Sequence, residues 1–242
     1  MKLLYPSFSG PADELLTGAV LTVLNGLTLN GTANLTTALV SPSSYTGINF
    51  LNRAQTLGGT GEIIFNTTAG EIIGGWCVRP TGSGVLNIGP GITIKTGNAP
   101  GMVGHSTRPL IIQETISAET AGKEIHLEGS SITNEGSIAI KAGGLASVEG
   151  PFTQSVSGSL AVELSGTLAT EFGKLTSSSA LTLDGTPDVS VTGGFTPTSR
   201  NEFEIMTFDS VSGDFSTKNG LDQGGLTLDL SYGASNLRLV AP

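Results

Sequence analysis

The sequence predicts an all-β fold, a right-handed parallel β-helix (solenoid) in which short strands stack in ladders. Three observations lead there. Short runs alternate apolar and polar residues and close on Gly or Asn-Gly, the period-2 signature of half-buried strands. Similar units return at a spacing of roughly 20 residues, as in repeat folds where each unit buries its apolar face on its neighbours. Helical periodicity is nearly absent: only 13% of the 242 residues are charged, and 26 Ser and 30 Thr supply the polarity instead. Those residues favour strands and turns over long solvated helices.

In chain order, Val20-Leu21-Thr22-Val23-Leu24 is stopped by Asn25-Gly26, and Leu27-Thr28-Leu29 by Asn30-Gly31. Ile63-Ile64-Phe65, Val85-Leu86-Asn87-Ile88 and Ile92-Thr93-Ile94 follow, each flanked by Gly. Then come Ile111-Ile112, Ile125-His126-Leu127, Ile132, Ile138-Ala139-Ile140 and Leu145-Ala146-Ser147-Val148. The later runs are Leu160 to Leu164, Leu181-Thr182-Leu183, Val189-Ser190-Val191, Phe203-Glu204-Ile205, Leu226-Thr227-Leu228 and Leu237-Arg238-Leu239-Val240. Inward Ile, Leu and Val would form ladders of like residues, with Gly at tight corners that need positive φ. Two Gly- and Pro-containing stretches, Gly74 to Pro80 and Thr96 to His105, read as irregular excursions. One short helix is expected near Ala12 to Thr17, where Asp13 and Glu14 suit a first turn.

The chain divides into an N-terminal cap (1–16), β-solenoid coils (17–150) and C-terminal coils (151–242), with no low-complexity linker between the halves. A β-sandwich is the alternative architecture for 151–242, where the runs alternate more like hairpins. The strand near Leu237 is a second candidate cap, because exposed sheet ends pair with other chains unless covered.

Net charge is −9 and lopsided: residues 1–110 carry five basic groups against four acids, residues 111–242 six against sixteen. Such a surface repels phosphate backbones and lacks polybasic clusters, so neither nucleic acid nor anionic lipid is an expected partner. No run is long and apolar enough to span a membrane, and no membrane insertion is expected. Cys77 is the single cysteine, which excludes an intramolecular disulfide framework. The N-terminus carries no recognisable signal peptide, so the chain is expected to be a piece of a longer exported protein.

Several stretches resemble repeats of bacterial surface proteins. Thr56 to Phe65 (TLGGTGEIIF) and Leu86 to Ile94 (LNIGPGITI) are similar to coils of large exoproteins. So are Glu114 to Lys123 (ETISAETAGK) and Asn134 to Ile138 (NEGSI). Gly158 to Gly166 (GSLAVELSG) and Leu181 to Thr186 with Gly194 to Pro197 resemble repeats near the passenger C-termini of autotransporter-type proteins. The resemblance covers about residues 50–240. It departs from the pattern at Gly173-Lys174-Leu175, where an Asp is expected, and in having no membrane barrel. It implies an extracellular or cell-surface segment, non-enzymatic, acting as a rigid stalk or adhesion scaffold.

Residues capable of chemistry are few. Nucleophilic catalysis needs a base beside Ser or Cys, and only His105 and His126 are available. His105 reads as a loop histidine, and Cys77 as a packed cysteine because Arg79 alone barely favours a thiolate. Glu124, His126 and Glu128 alternate with Ile125 and Leu127, so they share the outer face of one strand. Three residues on one flat strand seldom converge on an ion, and a solvated face is the preferred reading. Glu202 and Glu204 flank Phe203 in the same way, at a spacing near that of paired glycosidase carboxylates, with Arg200 the only candidate cation considered beside them. Thr28, Thr32 and Thr36 are spaced wrongly for a flat threonine array, and the sequons at Asn30, Asn34 and Asn66 are expected by chance in a Thr-rich chain.

No catalytic, cofactor-binding or metal-ligating residue is assigned, and no cofactor. The expected role is a non-enzymatic structural or adhesive segment meeting polysaccharide or another cell surface, as a monomer. The alternatives are a carbohydrate-active β-helix (polysaccharide lyase or hydrolase) and a phage tail-spike segment, which would be a trimer.

Overall fold

The computed structural model describes residues 2–3, 7–9, 16–17, 20–37, 46–67, 76–223 and 225–242. Among them the fold is all-β, with parallel sheets and no helix. The strands form three ladders, and the chain visits them in turn. The first runs through Lys2–Leu3, Val20–Val23, Thr46–Phe50, Trp76–Pro80, the start of Gly101–Ile112, the start of Glu124–Asn134, Leu145–Glu149, Lys174–Ser177 and Glu202–Thr207. The second runs from Ser7–Ser9 through Leu27–Asn30, Gln55–Gly59, Leu86–Ile88, the ends of the two long strands, Phe152–Gln154, Ala180–Leu183 and Ser210–Gly213. The third holds Leu16–Thr17, Thr32–Thr37, Glu62–Thr67, Thr93–Thr96, Thr115–Ala118, Ser137–Ile140, Ser159–Leu164 and Thr186–Val191.

Every pairing within these ladders is parallel. Successive partners are separated along the chain by 19 residues at the shortest (Leu16 opposite Leu35) and 31 at the longest (Leu175 opposite Met206). The first two ladders belong to one sheet because Gly101–Ile112 and Glu124–Asn134 run through the corner, with a register shift between His105 and Pro109.

Register is fixed by what points inward. In the first ladder Leu21, Ile48, Val78, Val103, Leu127 and Val148 lie one above another. In the third, Ile63, Ile94, Ile116, Ile138 and Leu160 do the same, all at 0–1% exposure. These stacks merge into one buried cluster. Each fully buried aliphatic side chain contributes about 1.5–3 kcal/mol relative to exposure. A one-residue slip would turn a whole strand's apolar set to water. The second ladder is less uniform: below Leu57, Ile88 and Ile112 the inward positions become Asn134 and Gln154. Asn134 donates to the Ser159 carbonyl at 3.0 Å and Gln154 to the Asp184 carbonyl at 2.9 Å.

Both stretches expected to be irregular hold strands. Trp76–Pro80 pairs in register with Thr46–Phe50, while residues 74–75 lie outside the described residues. Gly101 opens a strand because a Cβ there would overlap the Phe65 ring, so this glycine marks close packing instead of a loop. The helix expected at Ala12 to Thr17 falls on residues 12–15, outside the described residues, and on Leu16–Thr17, which is a strand paired with Leu35 and Thr36. In its described residues the segment 1–16 supplies strands to all three ladders.

No change of pairing marks residue 150: strands from Phe152 to Gly213 continue the ladders in parallel. The hairpin-like pairing of a sandwich enters among the strands only at the end. Asn236–Val240 runs antiparallel to both Glu202–Thr207 and Asp229–Tyr232. It thereby covers one edge of the first ladder, as expected of the strand near Leu237.

Candidate functional site

A group of His and Glu side chains that could hold a metal ion lies on the outer face of the first ladder. Alternation in Glu124–Asn134 sends Ile125 and Leu127 into the core and Glu124, His126 and Glu128 outward. The next strand, Leu145–Glu149, places Ser147 in register with His126 and Glu149 in register with Glu128. Four acids and bases and one hydroxyl therefore meet across two strands.

His126 is the hub. Its Nε2 lies 3.3 Å from Glu128 Oε1 and 3.5 Å from Glu149 Oε2. Its Nδ1 lies 2.5 Å from Ser147 Oγ and 3.5 Å from Glu124 Oε1. Ser147 Oγ donates to Glu124 Oε1, since an ionised carboxylate only accepts. The hydroxyl oxygen is then left to accept from Nδ1–H. A Glu124–Ser147 pair thus fixes the imidazole tautomer and ring plane, the role that outer partners of a working histidine play. Glu128 is held as well, for its Oε2 accepts the Ser106 backbone N–H from the corner above at 3.3 Å. Gly104, opposite Glu128, has φ +99°, and a Cβ there would overlap the Glu128 carbonyl oxygen.

The electrostatics follow. Hydrogen bonding to Glu124 raises the His126 pKa; burial opposes this, and the charges of Glu128, Glu124 and Glu149 add to the rise. The same bond to His126 leads in lowering that of Glu124, opposed by burial and helped by Ser147. Glu128 and Glu149 are like charges directly opposite in a ladder, an arrangement that is unfavourable without a cation between them. A Ser–His–Glu chain is present in outline, yet the hydroxyl hydrogen goes to Glu124 and not to the imidazole. The geometry orients the ring and does not activate Ser147 as a nucleophile.

The other candidate residues are dispersed. His105 sits at the corner of Gly101–Ile112, its Nδ1 accepting the Thr107 N–H at 3.3 Å. Cys77 is buried, and burial pushes its thiol up to about 11, against the nearby Arg79 charge. Glu202 and Glu204 are each ion-paired: Arg238 Nη1 lies 3.3 Å from Glu202, and Lys174 Nζ 2.6 Å from Glu204. Arg200, the candidate cation considered beside them, is in neither pair; it is an exposed residue at φ 73° whose N–H donates to the Ala241 carbonyl. Thr28 lies in the second ladder and Thr32 and Thr36 in the third, so the three share no face. Asn34 and Asn66, two of the sequon residues, bond to each other at 2.8 Å.

With Ser147, Glu149 is the member of the cluster that sequence reasoning missed. Its signal was the register, since it lies 21 residues beyond its neighbour Glu128. No family model matches the chain, and no curated protein matches it in sequence. Among the described residues no helix is long and apolar enough to cross a membrane.

Proposed function

We propose that the chain winds as a right-handed parallel β-solenoid and serves as a rigid, non-enzymatic segment of a secreted or surface-displayed protein. The observation carrying this reading is the order in which the chain returns to the same three ladders, in parallel, over a single core. Parallel crossovers are right-handed in nearly all sheets. The similarity of Thr56 to Phe65 and Gly158 to Gly166 to exoprotein and autotransporter-type repeats supports an extracellular setting.

Stacking also makes rows on the outside. Thr133, Thr153, Thr182 and Ser212 stand in register along the second ladder, and Thr182 and Ser212 hydroxyls lie 3.2 Å apart. A row of hydroxyls repeating at the strand spacing of about 4.8 Å suits many weak hydrogen bonds to a carbohydrate chain, additive through multivalency. The acids most like a glycosidase pair, Glu202 and Glu204, are neutralised by Arg238 and Lys174.

Incubation with plant, algal and bacterial polysaccharides tests the reading. We expect protein in the insoluble fraction, no new reducing ends or unsaturated products, and weaker retention after combined Thr153→Ala, Thr182→Ala and Ser212→Ala replacement. Turnover would overturn the proposal in favour of a lyase or hydrolase and direct mutagenesis to Glu202 and Glu204 with their partners Arg238 and Lys174. Binding as a stable trimer would favour the tail-spike reading. Absence of both binding and turnover would remove adhesion and leave a plain spacer.

A further inference from the structure

We propose that His126, Glu128 and Glu149 form a binding site for a divalent transition-metal cation of the zinc class on the outer face of the first ladder. One nitrogen and one oxygen from each carboxylate all lie within 4.8 Å of one another. Two of the three edges, 3.3 and 3.5 Å, match the separation of about 3.4 Å between ligands placed tetrahedrally at 2.0–2.1 Å around zinc. The third, between the two carboxylates, is within 4.8 Å, and the Glu149 side chain that sets it is 56% exposed.

Convergence is what a single flat strand lacks, and the adjacent strand provides it. Glu128 and His126 approach from one strand and Glu149 from the next, so the three atoms define a face with one side open to water. Ser147 and Glu124 hold Nδ1–H, which directs the Nε2 lone pair of the neutral imidazole at both carboxylates. That lone pair facing two anions requires a cation between them, either a proton on Nε2 or a metal. A borderline donor set of one imidazole and two carboxylates suits zinc, manganese, iron or nickel better than magnesium or calcium, which take oxygen alone. Metal binding displaces the Nε2 proton to solvent when the ring is charged.

The test is calorimetric titration of the full, untagged chain with Zn2+, with Mg2+ and Ca2+ as separate arms. One Zn2+ per chain is expected, with no comparable heat from Mg2+ or Ca2+. Glu149→Gln and His126→Asn each weaken binding by about tenfold or more, and His105→Gln leaves it unchanged. Ser147→Ala keeps all three ligands and weakens binding about tenfold, as loss of an orienting partner does. In nitrogen NMR the metal shifts Nε2 of His126 and not Nδ1. Circular dichroism checks folding, and the exposed Glu149 variant carries the test if His126→Asn does not fold. Absence of Zn2+ binding, or binding that survives Glu149→Gln, would overturn the proposal.

Discussion

Glu204 shows what single residues contribute at the end of the first ladder. Its carboxylate takes Lys174 Nζ at 2.6 Å on one oxygen and Asn236 Nδ2 at 2.7 Å on the other. Lys174 leads in holding its pKa below the ordinary value, with Asn236 next and Arg238 adding charge. A carboxylate whose pKa is depressed by folding stabilises the protein above the unfolded value of about 4.3 and loses that contribution as pH falls through the folded one. We therefore expect the urea midpoint to fall between pH 5 and pH 3, and the fall to be smaller in Glu204→Gln. Equal slopes in the two proteins would mean that the contact contributes nothing. At this scale the sequence was readable in part. Outward placement of Glu124, His126 and Glu128 follows from alternation with Ile125 and Leu127. Their convergence does not, because Glu149 and Ser147 arrive through register with another strand. Lys174 and Arg238 were likewise invisible as partners of Glu204 and Glu202, lying 30 and 36 residues away.

Strands with clean alternation were legible as elements: Val20–Val23, Leu27–Asn30, Ser159–Leu164 and Asn236–Val240 all sit where apolar residues occupy every second position. Ser210–Gly213 was missed because it carries only Val211 as an apolar residue, and Thr32–Thr37 and Thr46–Phe50 because polar residues and Gly47 surround the buried Leu35, Ile48 and Phe50. Leu226 to Leu228 failed the other way: Thr227 makes only an isolated bridge to Asp222, and the strand begins at Asp229. Gly101 misled for a physical reason, since glycine marks both turns and close approach of a neighbouring ring. The terminal strand Asn236–Val240 has a consequence of its own. Its antiparallel pairing occupies the edge of Glu202–Thr207 that would otherwise offer free N–H and C=O groups. Deleting residues 226–242 uncovers that edge and the buried Phe203 and Ile205, and an open edge recruits other chains. Light scattering is expected to show concentration-dependent association of the truncated chain and none of the full one; a truncated chain that stays monomeric would show that the strand is not a cap.

For the molecule as a whole, short alternating runs closed by Gly, their return at similar spacing and the absence of helical period led to an all-β fold, and parallel pairing extends from Lys2 to Gly213. The three-ladder arrangement was not readable, because repeats of 19 to 31 residues differ too much in length to align by inspection. The lengths vary at the corners, while the inward stacks of the first and third ladders stay apolar through Leu21 to Val148 and Ile63 to Leu160. Everything proposed for the outer faces, the hydroxyl row and the metal site alike, depends on that stacking. Cysteine pairs test it most directly. In a Cys77→Ala background, Thr153→Cys with Thr182→Cys puts two thiols on in-register parallel partners, where stacked strands about 4.8 Å apart fall within disulfide reach. Thr153→Cys with Ala161→Cys instead pairs positions that hairpin pairing of consecutive strands would bring together and that here lie in different ladders. Mild oxidation followed by mass spectrometry should join 153 to 182 and leave 153 and 161 as free thiols. The reverse result, a 153–161 disulfide with none between 153 and 182, would contradict the parallel stack.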